Sequence, residues 1–115
     1  MENNIILNKS FSLACELIRY ARDIPPDSKA LAFQLVRSGS SIGASVTEAQ
    51  GAESKSDFVH KLKIADKEAK ETLYWLNLLQ NVDRGGDQEK IRSDLHEVQR
   101  LLNSIITTCK KGLPK

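Results

Sequence analysis

The stretch RSGSSIGASVTEAQG, Arg37 to Gly51, packs nine Gly, Ser and Ala residues into fifteen positions. Small residues in such density serve in loops, phosphate cradles, nucleophile turns and close helix seams, and periodicity separates these uses. Leu31, Leu35, Ser38, Ile42, Ser45 and Ala49 follow alternating four- and three-residue steps, so the segment keeps helical register. Gly39 and Gly43 each weaken a helix by roughly 1 kcal/mol relative to Ala. A helix that carries both needs tertiary contact to offset that loss. Removing side-chain bulk supplies it, because a neighbouring helix can then lie closer. Gly39, Ser41 and Gly43 are therefore assigned to helix packing. The stretch is not a P-loop, which needs Lys after its second glycine, and it lacks the G-x-S-x-G nucleophile elbow.

The remaining chain reads in the same way. With 115 residues, 40% apolar and 28% charged, it suits one globular domain of modest core, and aromatics at 5% favour helices over sheets. The spacing predicts helices over about 9–23, 28–49, 55–80 and 87–110. In the first, Phe11, Ala14, Ile18 and Ala21 form one stripe, with Leu13, Leu17, Tyr20 and Ile24 beside it. Pro25 and Pro26 end this helix, and Asp27 or Ser28 caps the next. Ser54 or Ser56 caps the third, whose stripe is Phe58, Leu62, Ala65, Ala69, Thr72, Leu76 and Leu79. Asp87 caps the fourth, with Ile91, Leu95, Val98, Leu102, Ile105 and Cys109 facing inward and Gly112 and Pro114 ending it before a short frayed tail. Four amphipathic helices with short connections predict an all-α, antiparallel up-down-up-down four-helix bundle. The first helix is the shortest, so one end of the others is left without cover, which favours self-association.

The chemistry-bearing residues carry few positive signals. Glu68 and Glu71 lie three apart near Trp75, but the Glu-x-x-His pairs of a bundle-core metal site are missing: His60 is preceded at that spacing by Asp57 and His96 by Ser93. Neither metal nor cofactor is expected. Glu48, Glu68 and Glu71 are instead expected to pair with Arg37, Lys61 or Lys70, as buried pairs that set helix register. Neither His has a nucleophile at a recognisable spacing, which argues against an enzyme. Cys15 and Cys109 form no C-x-x-C pair and are read as apolar packing residues. Lys55, Lys61, Lys63, Lys67 and Lys70 make the third helix the candidate nucleic-acid contact, although Asp57, Asp66 and Glu68 are interleaved with them. A net charge of +2 permits a nucleic-acid partner without requiring one. The first residues lack a basic n-region and long apolar core, and no apolar run approaches the ~20 residues of a membrane span, so a cytoplasmic location without membrane contact is expected.

Taken in order, Ser41–Ala44 (SIGA), Glu48–Ala49 (EA), Ser54–Phe58 (SKSDF) and Lys67–Leu76 (KEAKETLYWL) resemble a four-helix bundle family encoded in bacterial ribosomal RNA intervening sequences. The resemblance covers nearly the whole chain. It implies an antiparallel bundle assembling into a ring, a homopentamer, with no enzymatic activity. A related branch holds the accessory variability determinants of diversity-generating retroelements, basic pentamers that bind nucleic acid and a reverse transcriptase. This chain is less basic, and it has Ser45 where many relatives place Asn. The resulting expectation is a non-enzymatic oligomeric binding or scaffold protein that contacts structured RNA or DNA. The alternative is a protein-only adaptor or regulatory partner.

Overall fold

The computed structural model describes residues 4–111, so the expected stop signals Gly112 and Pro114, with the tail after them, lie outside the described residues. Four helices account for most of the chain: α1 (Ile5–Ala21), α2 (Lys29–Ala49), α3 (Lys55–Asn81) and α4 (Glu89–Lys110). No strand occurs among the described residues. Each helix packs on two neighbours. Both α1 and α3 lie against α2 and α4, and the α2–α3 seam is the most extensive.

α1 begins four residues earlier than the spacing predicts, because Asn4 caps it: the Asn4 side chain accepts from the Leu7 amide at 3.1 Å. The added turn also decides which of the two stripes faces inward. Ile6, Ser10, Leu13 and Leu17 are buried, whereas Phe11 is 70% exposed and Ile18 42% exposed. Two adjacent stripes had equal helical spacing; the one that extends upstream through Ser10 and Ile6 faces the core. The extension carries α1 to the far end of α2, and α1, at 17 residues, is still the shortest of the four helices. The Asn4 amide donates to the Gln50 side chain at the far end of α2, and buried Ile24 closes the other end of α1.

After Pro25 a single 3-10 turn, Pro26–Ser28, leads into α2. Ser28 occupies the cap position without a side-chain hydrogen bond to the helix; its hydroxyl donates to the Asp27 carboxylate at 3.5 Å. The small residues of α2 face two different neighbours. A Cβ on Gly39 would fall 2.3 Å from the Leu17 Cδ1 of α1, and one on Gly43 would lie 3.5 Å from the Ser10 backbone oxygen. Ser38 turns the other way: its hydroxyl lies 2.9 Å from that of Thr72 on α3, and each hydroxyl also reaches a carbonyl of its own helix, Leu35 for Ser38 and Glu68 for Thr72. These buried hydroxyls are thus satisfied, which lets polar atoms sit in a core without the ~1–3 kcal/mol cost of an unpaired group.

α3 follows its expected stripe closely. Ser54 caps it by accepting from the Asp57 amide at 3.0 Å, and Val59, Leu62, Ala65, Ala69, Thr72, Leu76 and Leu79 are buried, with Phe58 only partly so. Asp83, at φ 58°, ends the helix in the left-handed conformation common at helix C-termini. On α4, Ile106 rather than Ile105 completes the buried row, and Cys109 is half-buried. The cap differs from expectation. Gln88, not Asp87, holds the position before α4; Asp87 accepts from the Glu89 amide at 3.0 Å.

Gln88 is displaced inward because it completes a latch. The Tyr20 hydroxyl at the end of α1 donates to the Gly85 carbonyl at 2.5 Å, while the Gln88 amide donates to the Tyr20 oxygen and to the Leu76 carbonyl, each at 2.9 Å. One tyrosine thereby ties α1 to the α3–α4 loop.

Three substitutions test these contacts. Gly39→Val, by forcing atoms into the space of Leu17, is expected to lower stability by about 1 to 3 kcal/mol. Gly43→Ala, where a Cβ makes only ordinary contact, is expected to be neutral or to stabilise by up to ~1 kcal/mol. Urea midpoints of the two variants test the asymmetry. Tyr20→Phe is expected to cost about 1 to 2 kcal/mol through the latch. Burial raises the Tyr20 phenol above its ordinary value of 10.0, against weaker lowering by Gln88 and Arg92. The folded state therefore holds the proton more tightly, and the associated stability is complete below pH 10 and lost as pH rises through the folded value. Thermal melts above pH 10 should show this loss in the parent chain and not in Tyr20→Phe.

Candidate functional site

The five lysines singled out on α3 do not share one face. Lys63, Lys67 and Lys70 follow four- and three-residue steps and stand exposed on the side of α3 opposite its core. The same row contains Ser56, His60, Tyr74, Asn77 and Asn81, all exposed, so it runs the length of the helix without an acidic residue. Lys55 is exposed in the first turn but lies off this row. Lys61 belongs elsewhere: it reaches across to Glu48 of α2 at 3.5 Å. That contact sets Lys61 apart from the row and engages its charge in the α2–α3 seam.

Three acidic residues beside the row lie near cations. Lys70 meets Asp66 at 3.2 Å. On the α2 side, the Arg37 guanidinium pairs with Glu71 and lies 3.8 Å from Glu68, while its Nε donates to the Gln34 side chain at 2.8 Å. Glu71 also accepts from the Trp75 indole at 3.0 Å. The expected partners are thus Arg37 for both Glu68 and Glu71, and the pair is only partly buried, with the Arg37 side chain 40% exposed. Solvent access reduces its energetic weight. Ser41 donates to the Arg37 carbonyl at 2.8 Å, satisfying its hydroxyl within its own helix. Gly39 and Gly43 face α1, away from this seam.

Tyr74 is the residue that the sequence reading passed over. It is 55% exposed and packs edge-to-face on Trp75, with ring centroids 5.1 Å apart and planes at 68°. The signal was present in the spacing: Tyr74 continues the steps of Lys63, Lys67 and Lys70.

Two grooves border α1. Leu7, Phe11, Ala14, Gly43, Ala44 and Thr47 line a mainly apolar groove of about 740 Å³ between α1 and α2. A groove of about 680 Å³ between α1 and α4 contains Cys15 and an ion cluster, in which Lys90 contacts Glu16 at 2.6 Å and Asp94 at 2.8 Å. Burial holds the Glu16 carboxyl above its ordinary range, while hydrogen bonding from Glu16 and Lys90 holds Asp94 below its own. Proton uptake at Glu16 therefore precedes that at Asp94 as pH falls. No helix among the described residues is long and apolar enough to cross a membrane.

With this geometry established, the chain can be set beside known proteins. Residues 2–104 match the model of a family described as 23S rRNA-intervening sequence proteins. Among solved structures, the chain is similar to a protein of unknown function from the S23 ribosomal protein family of Bacteroides thetaiotaomicron. The two share 39% sequence identity over 93% of this chain and 99% of the other, with a TM-score of 0.85. No curated protein matches the chain.

Alanine substitution of Arg37 and Glu71, singly and together, is expected to reveal a coupling of about 0.5 to 1 kcal/mol, reduced by salt. Glu71→Ala should also shift the emission of Trp75, the single tryptophan in the chain. Additive effects on the urea midpoint would show that the contact does not couple the two helices.

Proposed function

The chain belongs to the 23S rRNA-intervening sequence protein family, and from that premise we propose that it is a non-enzymatic helical-bundle module that binds structured RNA or other nucleic acid through the exposed face of α3. The observation that carries this reading is the uninterrupted row containing Lys63, Lys67 and Lys70, in which Lys70 also meets Asp66 while the neighbouring Glu68 and Glu71 turn to Arg37 of α2. A row of ammonium groups one helical turn apart suits a phosphate backbone, whose binding releases condensed counterions.

The proposed architecture is an antiparallel up-down-up-down bundle. The pairings of Asn4 with Gln50, Arg37 with Glu71, Glu48 with Lys61, Lys9 with Glu97 and Glu16 with Lys90 support it, since one index rises as the other falls. The proposed assembly is a homopentameric ring. Support comes from the apolar α1–α2 groove and from the exposed Phe11 and Ile18 on α1, which offer apolar surface to another copy. Repetition of the α3 row around a ring would add phosphate contacts across protomers. The proposed location is the cytoplasm, where such RNA is found.

The same groove favours a second reading, a protein-only adaptor that holds a partner by apolar contact. Salt separates the two. Light scattering coupled to size exclusion, with and without cellular RNA at about 50 and 200 mM salt, is expected to give a mass near five chains and salt-sensitive RNA co-elution. Replacing Lys63, Lys67 and Lys70 with Gln should weaken RNA binding and reduce the slope of log affinity against log salt by about 2 to 3 per engaged protomer. An unchanged slope would remove the α3 row from the interface. Binding indifferent to salt would favour the adaptor.

A further inference from the structure

We infer that Tyr74 is a stacking platform for an unpaired base, so that the α3 face takes single-stranded RNA segments in preference to fully paired duplex; the inference rests on the nucleic-acid reading above. Tyr74 follows Lys70 by one helical turn on the same exposed row, which places an aromatic face where a strand tracked by the lysines would continue. More than half of its surface is open. Its ring is nevertheless held: it packs edge-to-face on Trp75, the Trp75 indole donates to Glu71, and Glu71 is bound by Arg37 of α2. A ring already oriented loses little freedom when a base settles on it. Bases within a duplex stack on one another, whereas an unpaired base presents a free π-face to an aromatic side chain.

The arrangement supplies its own reporter, because a base on Tyr74 would lie close to Trp75. Titration of the full chain, following Trp75 fluorescence and anisotropy of a labelled strand, would compare an oligouridylate with an abasic ribose-phosphate strand of equal length and with a duplex. The oligouridylate is expected to bind about fivefold or more tighter than the abasic strand and to quench Trp75. Tyr74→Phe should retain that preference. Tyr74→Ala should lose it, leaving the salt dependence of binding unchanged. A thermal melt of each variant checks that the fold persists. Equal, salt-sensitive binding of base-bearing and abasic strands by the parent chain would overturn the platform and leave the phosphate-contacting row in place. A preference that survives in Tyr74→Ala would also overturn it. Failure of every strand to bind would overturn the platform together with the reading on which it rests.

Discussion

The fold depends on how little side chain α2 presents to its neighbours. Leu17 of α1 occupies the space that a Cβ on Gly39 would fill, and the Ser10 backbone lies within contact distance of where one would stand on Gly43. The glycines weaken α2 as an isolated helix, so α2 is held by what packs against it. On its neighbouring face, the Ser38 and Thr72 hydroxyls meet in the α2–α3 seam with Ala65 and Ala69 buried along the same helix face of α3. Placing α1 and α3 against two neighbouring faces of one slender helix leaves both within reach of α4.

Charge is distributed according to that packing. Arg37, Glu48, Lys61, Glu68 and Glu71 are drawn into the α2–α3 seam, where their contacts run between helices. The lysines that remain on the far side of α3 have fewer carboxylates to answer them. The apolar surface of α1 faces yet another direction, toward its groove with α2. In the proposed assembly, therefore, self-association and contact with a nucleic acid draw on different helices, and neither demands that the other surface be given up.

Much of this was legible in the sequence, and the exceptions have specific causes. The stripe on α3 was readable almost residue by residue, because one apolar row dominates it and Ser54 marks its start. α1 was harder: two rows of equal period compete, and only the cap at Asn4 reveals that the helix starts early enough for Ile6 and Ser10 to decide between them. Gln88 could not be assigned from its neighbours in sequence, because its hydrogen bonds go to Tyr20 and to the Leu76 carbonyl, 68 and 12 positions away. Among the lysines, spacing alone separates Lys63, Lys67 and Lys70 from Lys61 once the inward direction of α3 is known. Tyr74 was missed because it stands beside Trp75, and adjacent aromatics read as core until exposure distinguishes them.

The short connection between Ala49 and Lys55 has a kinetic side. The contacts of α2 with α3 join residues such as Ser38 and Thr72, 34 positions apart, whereas Glu16 and Lys90 on the α1–α4 seam are separated by 74. Loop closure grows more costly with separation, and chains rich in nearby contacts reach the native state faster. The α2–α3 and α1–α2 pairs are accordingly favoured to form before the α1–α4 seam. Synthesis completes α1 before α2, so the glycine-bearing helix emerges with one packing partner already made, gains the second with the row containing Thr72, and meets α4 last.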